Sequence, residues 1–266
     1  MVMITSVQNE RVKYVRSLAR RRTRQREGRF VVEGTRLVEE MVGAGLVPAF
    51  ALYTEAWATG HNARLLLTEL AQAGEGAWPV SEPVFAACTD VQSPQGVLAV
   101  VPYFQLRERP GLILILDGMR DPGNLGTVLR SAEAAGVGRV LLAPGSVDLY
   151  NPKVLRAAMG AHFRLPATHL EWPAIAEQVE GRTRWLADAA GEKVYDAVDW
   201  TVPSALVVGG EAAGPGREAS ELATGRVRIP MAGGTESLNA AMAATVILFE
   251  AARQQAAGDT FPGDCS

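Results

Sequence analysis

Residues 112–117 read Leu-Ile-Leu-Ile-Leu-Asp, an uninterrupted apolar run that ends in a carboxylate. Residues 205–210, Ala-Leu-Val-Val-Gly-Gly, have the same form and end in glycine. A strand wetted on one face alternates apolar with polar residues, so a run without alternation belongs to a strand covered on both faces, the usual situation in a parallel sheet. Parallel neighbours cannot be joined by tight hairpins and need crossover segments, usually helices. The sequence between and beyond these runs supplies them. Helical patterns are expected over 124–136, 151–160, 172–181, 215–225 and 237–255, with further strands at 139–144, 183–189 and 227–232. Asn124 is placed to cap the first of these helices and Gly136 to end it, and Asn151 and Pro152 open the second. The C-terminal half therefore reads as an α/β layer structure built on a mostly parallel sheet.

The first hundred residues alternate on a smaller scale. Val12, Val15 and Leu18 stand at helical spacing over 10–22 among arginines, and strands are expected at 28–34, 48–55 and 96–103. Helices fit 35–45, 62–74 and 81–90. The division expected is an N-terminal unit over 1–103, a charged linker carrying Pro-Gly over 104–111, a C-terminal domain over 112–257 and a mobile tail over 258–266.

Composition narrows the function classes. The 266 residues are 48% hydrophobic, with no apolar run of the ~20 residues needed to cross a bilayer. The N-terminus lacks the apolar core of a secretory signal. The two cysteines, Cys88 and Cys265, lie far apart with no CxxC or Cys/His cluster, so neither a zinc site nor any other metal site is expected, and a reducing cytoplasm is the default. The net charge of −3 conceals a division: residues 1–36 hold ten Lys/Arg against three Glu, a net +7, which leaves −10 for the remainder. A basic head on an acidic body suits a polyanion, and Arg20, Arg21, Arg22, Arg24 and Arg26 are the candidate contacts. The same run also reads as a solvated helix face.

Three strand ends in the C-terminal half carry the remaining signals. Asp117 leads into a turn with Asp121-Pro122-Gly123 and a helix holding Asn124 and Arg130. Gly209-Gly210 is followed by Glu211 and Gly214. Ile229-Pro230-Met231 runs through Gly233-Gly234 to Ser237-Leu238-Asn239, where either Ser237 or Asn239 could cap the last helix. Neither the GxGxxG dinucleotide fingerprint nor a P-loop is present. A parallel sheet gathers strand ends on one edge, where ligands of open α/β sheets bind.

These segments resemble the three motifs of the SpoU (TrmH) family of S-adenosyl-L-methionine (SAM)-dependent RNA ribose 2'-O-methyltransferases in the SPOUT superfamily. The family patterns Asn-x-Gly-x-x-x-Arg, Gly-x-Glu-x-x-Gly and Ile-Pro-Met…Ser-Leu-Asn are matched by Asn124, Gly126 and Arg130; by Gly209, Glu211 and Gly214; and by Ile229 to Met231 with Ser237 to Asn239. Two departures stand in the pattern: Ala212 where glycine often follows the glutamate, and Ala158 where many members carry serine. The N-terminal unit is similar to the L30e-like substrate-binding domain many members carry.

The resemblance implies a trefoil knot, a homodimer, and SAM held by backbone and apolar groups at Val208, Gly209, Ile229, Met231 and Leu238. It implies that Arg130 grips the RNA and stabilises developing charge, since an arginine is effectively never deprotonated. Asn124, Glu211, Ser237 and Asn239 would orient it and the substrate, with the proton acceptor unassigned. Ribosomal RNA of the large subunit (23S rRNA) is the implied substrate. The alternatives are tRNA, or a binding protein that has lost catalysis.

Overall fold

A computed structural model describes residues 2–210 and 214–256. Glu211, Ala212, Cys265 and the expected tail lie outside the described residues. The chain divides into two compact units, Met1–Gln105 with Tyr150–Arg156, and Leu106–Leu149 with Ala157–Ser266.

The first unit holds β1 (Arg29–Glu33), β2 (Phe50–Tyr53), β3 (Ala77–Pro79) and β4 (Val97–Pro102) in the order β1-β4-β2-β3. β4 runs antiparallel to both neighbours, while β2 and β3 are parallel. β3 went unseen in the sequence because three residues show no periodicity. The segment 10–22 is two helices, Glu10–Ser17 and Arg21–Glu27, with Asn9 capping the first. Val12, Val15 and Leu18 pack with Phe50, Leu52 and Val100, so the helical spacing marked a buried face. Tyr150 packs on Phe30 at 4.5 Å between ring centroids and stacks on Tyr103 at 4.3 Å, which explains why a segment remote in sequence joins this unit.

The second unit is a seven-stranded, wholly parallel sheet. Its strands are β5 (Ile113–Asp117), β6 (Arg139–Leu142), β7 (Ala167–His169), β8 (Thr183–Ala187), β9 (Lys193–Val194), β10 (Ser204–Gly209) and β11 (Gly225–Arg228). Their spatial order is β7-β6-β5-β10-β8-β11-β9. The two unbroken apolar runs, β5 and β10, are central neighbours, with Asp117 level with Gly209. Ile113, Ile115 and Val207 pack against Ile175 and Val179 of the segment containing the Trp172–Gln178 helix. Leu114 and Leu206, which point to the other face, are also fully buried. Burial on both faces is what the unalternating runs required.

The helix expected to start at Asn124 starts at Pro122, because Asp121 is the cap: its carboxylate accepts from the Asn124 N–H at 2.8 Å. Gly136 follows the helix end with φ +72°, a left-handed geometry that glycine adopts without strain. Asn151 does accept from the Lys153 N–H at 2.9 Å, as a cap should. The strand expected through 227–232 stops at Arg228, and the last helix runs Ala240–Ala256 rather than from 237. A buried histidine, His162, donates from Nε2 to the Leu149 carbonyl at 2.8 Å. Desolvation pushes its pKa down to about 4, so it is neutral at pH 7.

Candidate active site

β8, β10 and β11 end side by side, and their carboxyl ends open onto a cavity of about 630 Å³. Each strand supplies a wall: Ala187 at the end of β8 with Asp188 after it, Val208 and Gly209 from β10, and Val227 of β11 with Ile229 just beyond it. Met231 and the loop residues Glu236, Ser237, Leu238 and Asn239 close it, with Ala243 and Ile247 of the Ala240–Ala256 helix behind. The volume suits a nucleoside-sized ligand. All five residues expected to hold a cofactor line this one space, together with Ser237 and Asn239.

The glycines at the end of β10 are fixed by close approach. A Cβ on Gly209 would stand 2.9 Å from the Pro215 backbone nitrogen, and one on Gly210 2.5 Å from the Gly118 carbonyl oxygen. The Gly210 N–H donates to the Asp117 carbonyl at 2.8 Å, and the Gly216 N–H to the Asp117 carboxylate at 2.6 Å. Asp117 thus pins the far side of the glycine loop, a role the sequence reading missed. Its signal was a carboxylate ending an apolar run.

Asp188 and Glu236 are two further lining residues that the sequence motifs do not mark. Asp188 is held in place: its carboxylate pairs with Arg226, accepts from the Ala190 N–H at 2.9 Å, and its own N–H donates to the Val227 carbonyl. Glu236 makes no hydrogen bond or ion pair to another described residue. Among the described residues no lysine, arginine or histidine lines the cavity. Among the described residues no group of three or more His, Cys, Asp or Glu is arranged to hold a metal ion.

Asn239, not Ser237, caps the last helix, accepting from the Ala241 N–H at 2.8 Å and the Met242 N–H at 3.3 Å. Its amide Nδ2 donates to Asn124 Oδ1 at 3.3 Å, which ties the first motif to the third. The two helices are joined again by Thr245 donating to Ser131 at 2.8 Å. Arg130 stands apart from the cavity lining; it is exposed on the Pro122–Ala134 helix, with no ion pair among the described residues. Gly126, between Asn124 and Arg130, lies where a Cβ would meet the Ala157 Cβ at 2.3 Å.

In the first unit, Arg20, Arg21, Arg22 and Arg26 are exposed, the last paired with Glu27. Arg24 does not fit the RNA-contact expectation. It is 2% exposed and donates to the Leu18 and Ala19 carbonyls at 2.8 Å, tying off the end of the preceding helix. Its helical phase turns it inward while its neighbours face solvent.

The profile of the SpoU rRNA Methylase family matches residues 111–249, and that of the MRM3-like substrate binding domain matches residues 9–99. The human protein "rRNA methyltransferase 3, mitochondrial" is 34% identical, covering 87% of this chain and 69% of its own. The Bacillus subtilis protein "23S rRNA (guanosine(2553)-2'-O)-methyltransferase RlmP" is 32% identical over 94% of this chain and 98% of its own. The crystal structure of an AdoMet-bound rRNA methyltransferase from Sinorhizobium meliloti superposes with a TM-score of 0.84 at 29% identity, covering 95% of this chain and 97% of that one. With the profile spanning more than half of the residues and relatives aligned over nearly the full length, this chain belongs to the SpoU rRNA methylase family.

Proposed function

We propose that this protein transfers the methyl group of SAM to a ribose 2'-hydroxyl of large-subunit ribosomal RNA. The observation that carries this is the cavity at the ends of β8, β10 and β11, lined by Gly209, Ile229 and Leu238 from two of the three motifs and joined through Asn239 to Asn124 of the other. The residues present fit the cofactor. Gly209, Gly210 and Gly214 leave main-chain groups of the lining uncovered by side chains, which lets a flat base approach them, and Val208, Ile229, Leu238 and Ile247 give apolar walls. Relatives named for rRNA and 2'-O chemistry support the substrate assignment.

Bound SAM supplies an electrophilic methyl group on a sulfonium. The remaining work is positional: a 2'-oxygen must lie in line with that methyl and lose its proton. Asn239 and Asn124 hold the loop and the first motif's helix in register. Arg130 lies outside the cavity lining, as suits a group that meets an RNA phosphate arriving from solvent and stabilises oxyanion charge through charge-assisted hydrogen bonds. Ser237 faces the cavity as a substrate contact. Glu211 keeps the orienting role its motif implies. The 2'-hydroxyl requirement selects RNA over DNA.

Met242 and Phe249, seven residues apart on the last helix, are each 49% exposed. That apolar stripe supports a homodimer in which a second copy brings its Arg130 to the cavity. A trefoil knot around the cavity belongs to the same reading. The test is binding and transfer measured together: Arg130→Ala should retain SAM affinity and lose methyl transfer by at least about a hundredfold. Loss of SAM binding in that variant would remove Arg130 from the substrate side of the site.

A further inference from the structure

The cavity lining is chemically one-sided. Among the described residues its ionisable groups are two carboxylates, Asp188 and Glu236, and none is cationic. The two are not equivalent. Asp188 is neutralised in place by Arg226, with the Ala190 N–H on its other oxygen. Glu236 has no such partner among the described residues and sits on the exposed loop between the end of β11 and the last helix. It directly precedes Ser237, Leu238 and Asn239, the part of the loop that closes the cavity. An anion at the edge of a cavity whose described lining holds no cation is matched by a ligand that carries positive charge there.

We propose that Glu236 is the counter-charge for the α-ammonium group at the zwitterionic aminoacyl end of the cofactor, accepting a charge-assisted hydrogen bond from it. This rests on the SAM reading above and adds a specificity determinant to it. The adenosine part is held by backbone and apolar walls, which carry no charge preference. Of the two described carboxylates, Glu236 is the one open to the ammonium, because the Asp188 charge is already satisfied.

The experiment compares three probes by calorimetry on the full chain: SAM, S-adenosylhomocysteine, and 5'-methylthioadenosine, which keeps the nucleoside and lacks the amino acid. Glu236→Gln preserves size and removes the charge. It should weaken SAM and S-adenosylhomocysteine by about tenfold, the scale of one charge-assisted hydrogen bond, and leave 5'-methylthioadenosine within about twofold. Glu236→Asp, which keeps the charge, should recover part of the loss. An equal loss for all three probes means that the loop has been disturbed and overturns the proposal. So does unchanged affinity for all three. If the wild-type protein binds none of the probes, the SAM reading itself fails and takes this one with it; binding by the wild type with no selective loss in the variant sinks this inference alone.

Discussion

Asn239 divides one amide between two tasks, its oxygen capping the last helix and its nitrogen reaching Asn124. The tasks separate by substitution. Asn239→Ala should lower stability by about 1 kcal/mol in urea denaturation, the usual effect of losing a cap. Asn239→Asp keeps an acceptor at a helix N-terminus that favours negative charge, so stability should stay near wild type while methyl transfer falls. Equal stability of the Ala variant and the wild type would contradict the capping role. His162 gives a second residue-scale test. Its folded pKa lies below the ordinary value, so its contribution is fully present above about pH 6.5 and is lost as pH falls toward about 4. Denaturation at about pH 7.5 and pH 5 should show roughly 2 kcal/mol of pH-dependent loss from this group, absent in His162→Gln. Residue types at strand ends were legible because glycine and asparagine in those patterns have few uses. Asp117 and Asp188 were not: each acts on backbone or side chains brought near only by the sheet, at Gly216 and Arg226.

At the scale of elements, the short basic helix Arg21–Glu27 shows how composition and burial part company. Its run of arginines read as one charged surface, yet Arg24 is turned in to satisfy two carbonyls. Arg24→Ala should destabilise by about 2–3 kcal/mol, since it leaves buried acceptors without donors, whereas Arg21→Ala should stay within about 0.5 kcal/mol. Replacing Arg20, Arg21, Arg22 and Arg26 with glutamine should leave stability alone, weaken RNA binding and flatten its dependence on salt. An unchanged salt slope would make the cluster a solvated face. The long central strands were legible from their unbroken apolar runs, which only double-sided burial requires. β7 and β9 were missed because strands of three and two residues carry no period and exist through the neighbours they pair with. The strand expected through 227–232 ends at Arg228, where β11 stops pairing with β9 and the chain turns to line the cavity.

For the whole molecule, the order of seven parallel strands and the junction of sequence-distant segments depend on tertiary pairing that no local pattern specifies. The motif spacing, by contrast, carried the family because two motif-bearing strand ends meet at one cavity and the first motif is tied to it through Asn124 and Asn239. The exposed Met242 and Phe249 bear on assembly: Met242→Glu with Phe249→Glu should shift sedimentation from dimer to monomer and reduce transfer while SAM affinity changes less. A wild-type chain that sediments as a monomer would contradict the dimer. The central claim is ribose 2'-O-methylation, and the most direct measurement follows a labelled methyl group from SAM into large-subunit rRNA and maps where it lands. A single 2'-O-methylated ribose is expected, with no label when that nucleotide is 2'-deoxy and none with Arg130→Ala. Label on a base, or transfer that survives removal of the 2'-hydroxyl, would contradict it.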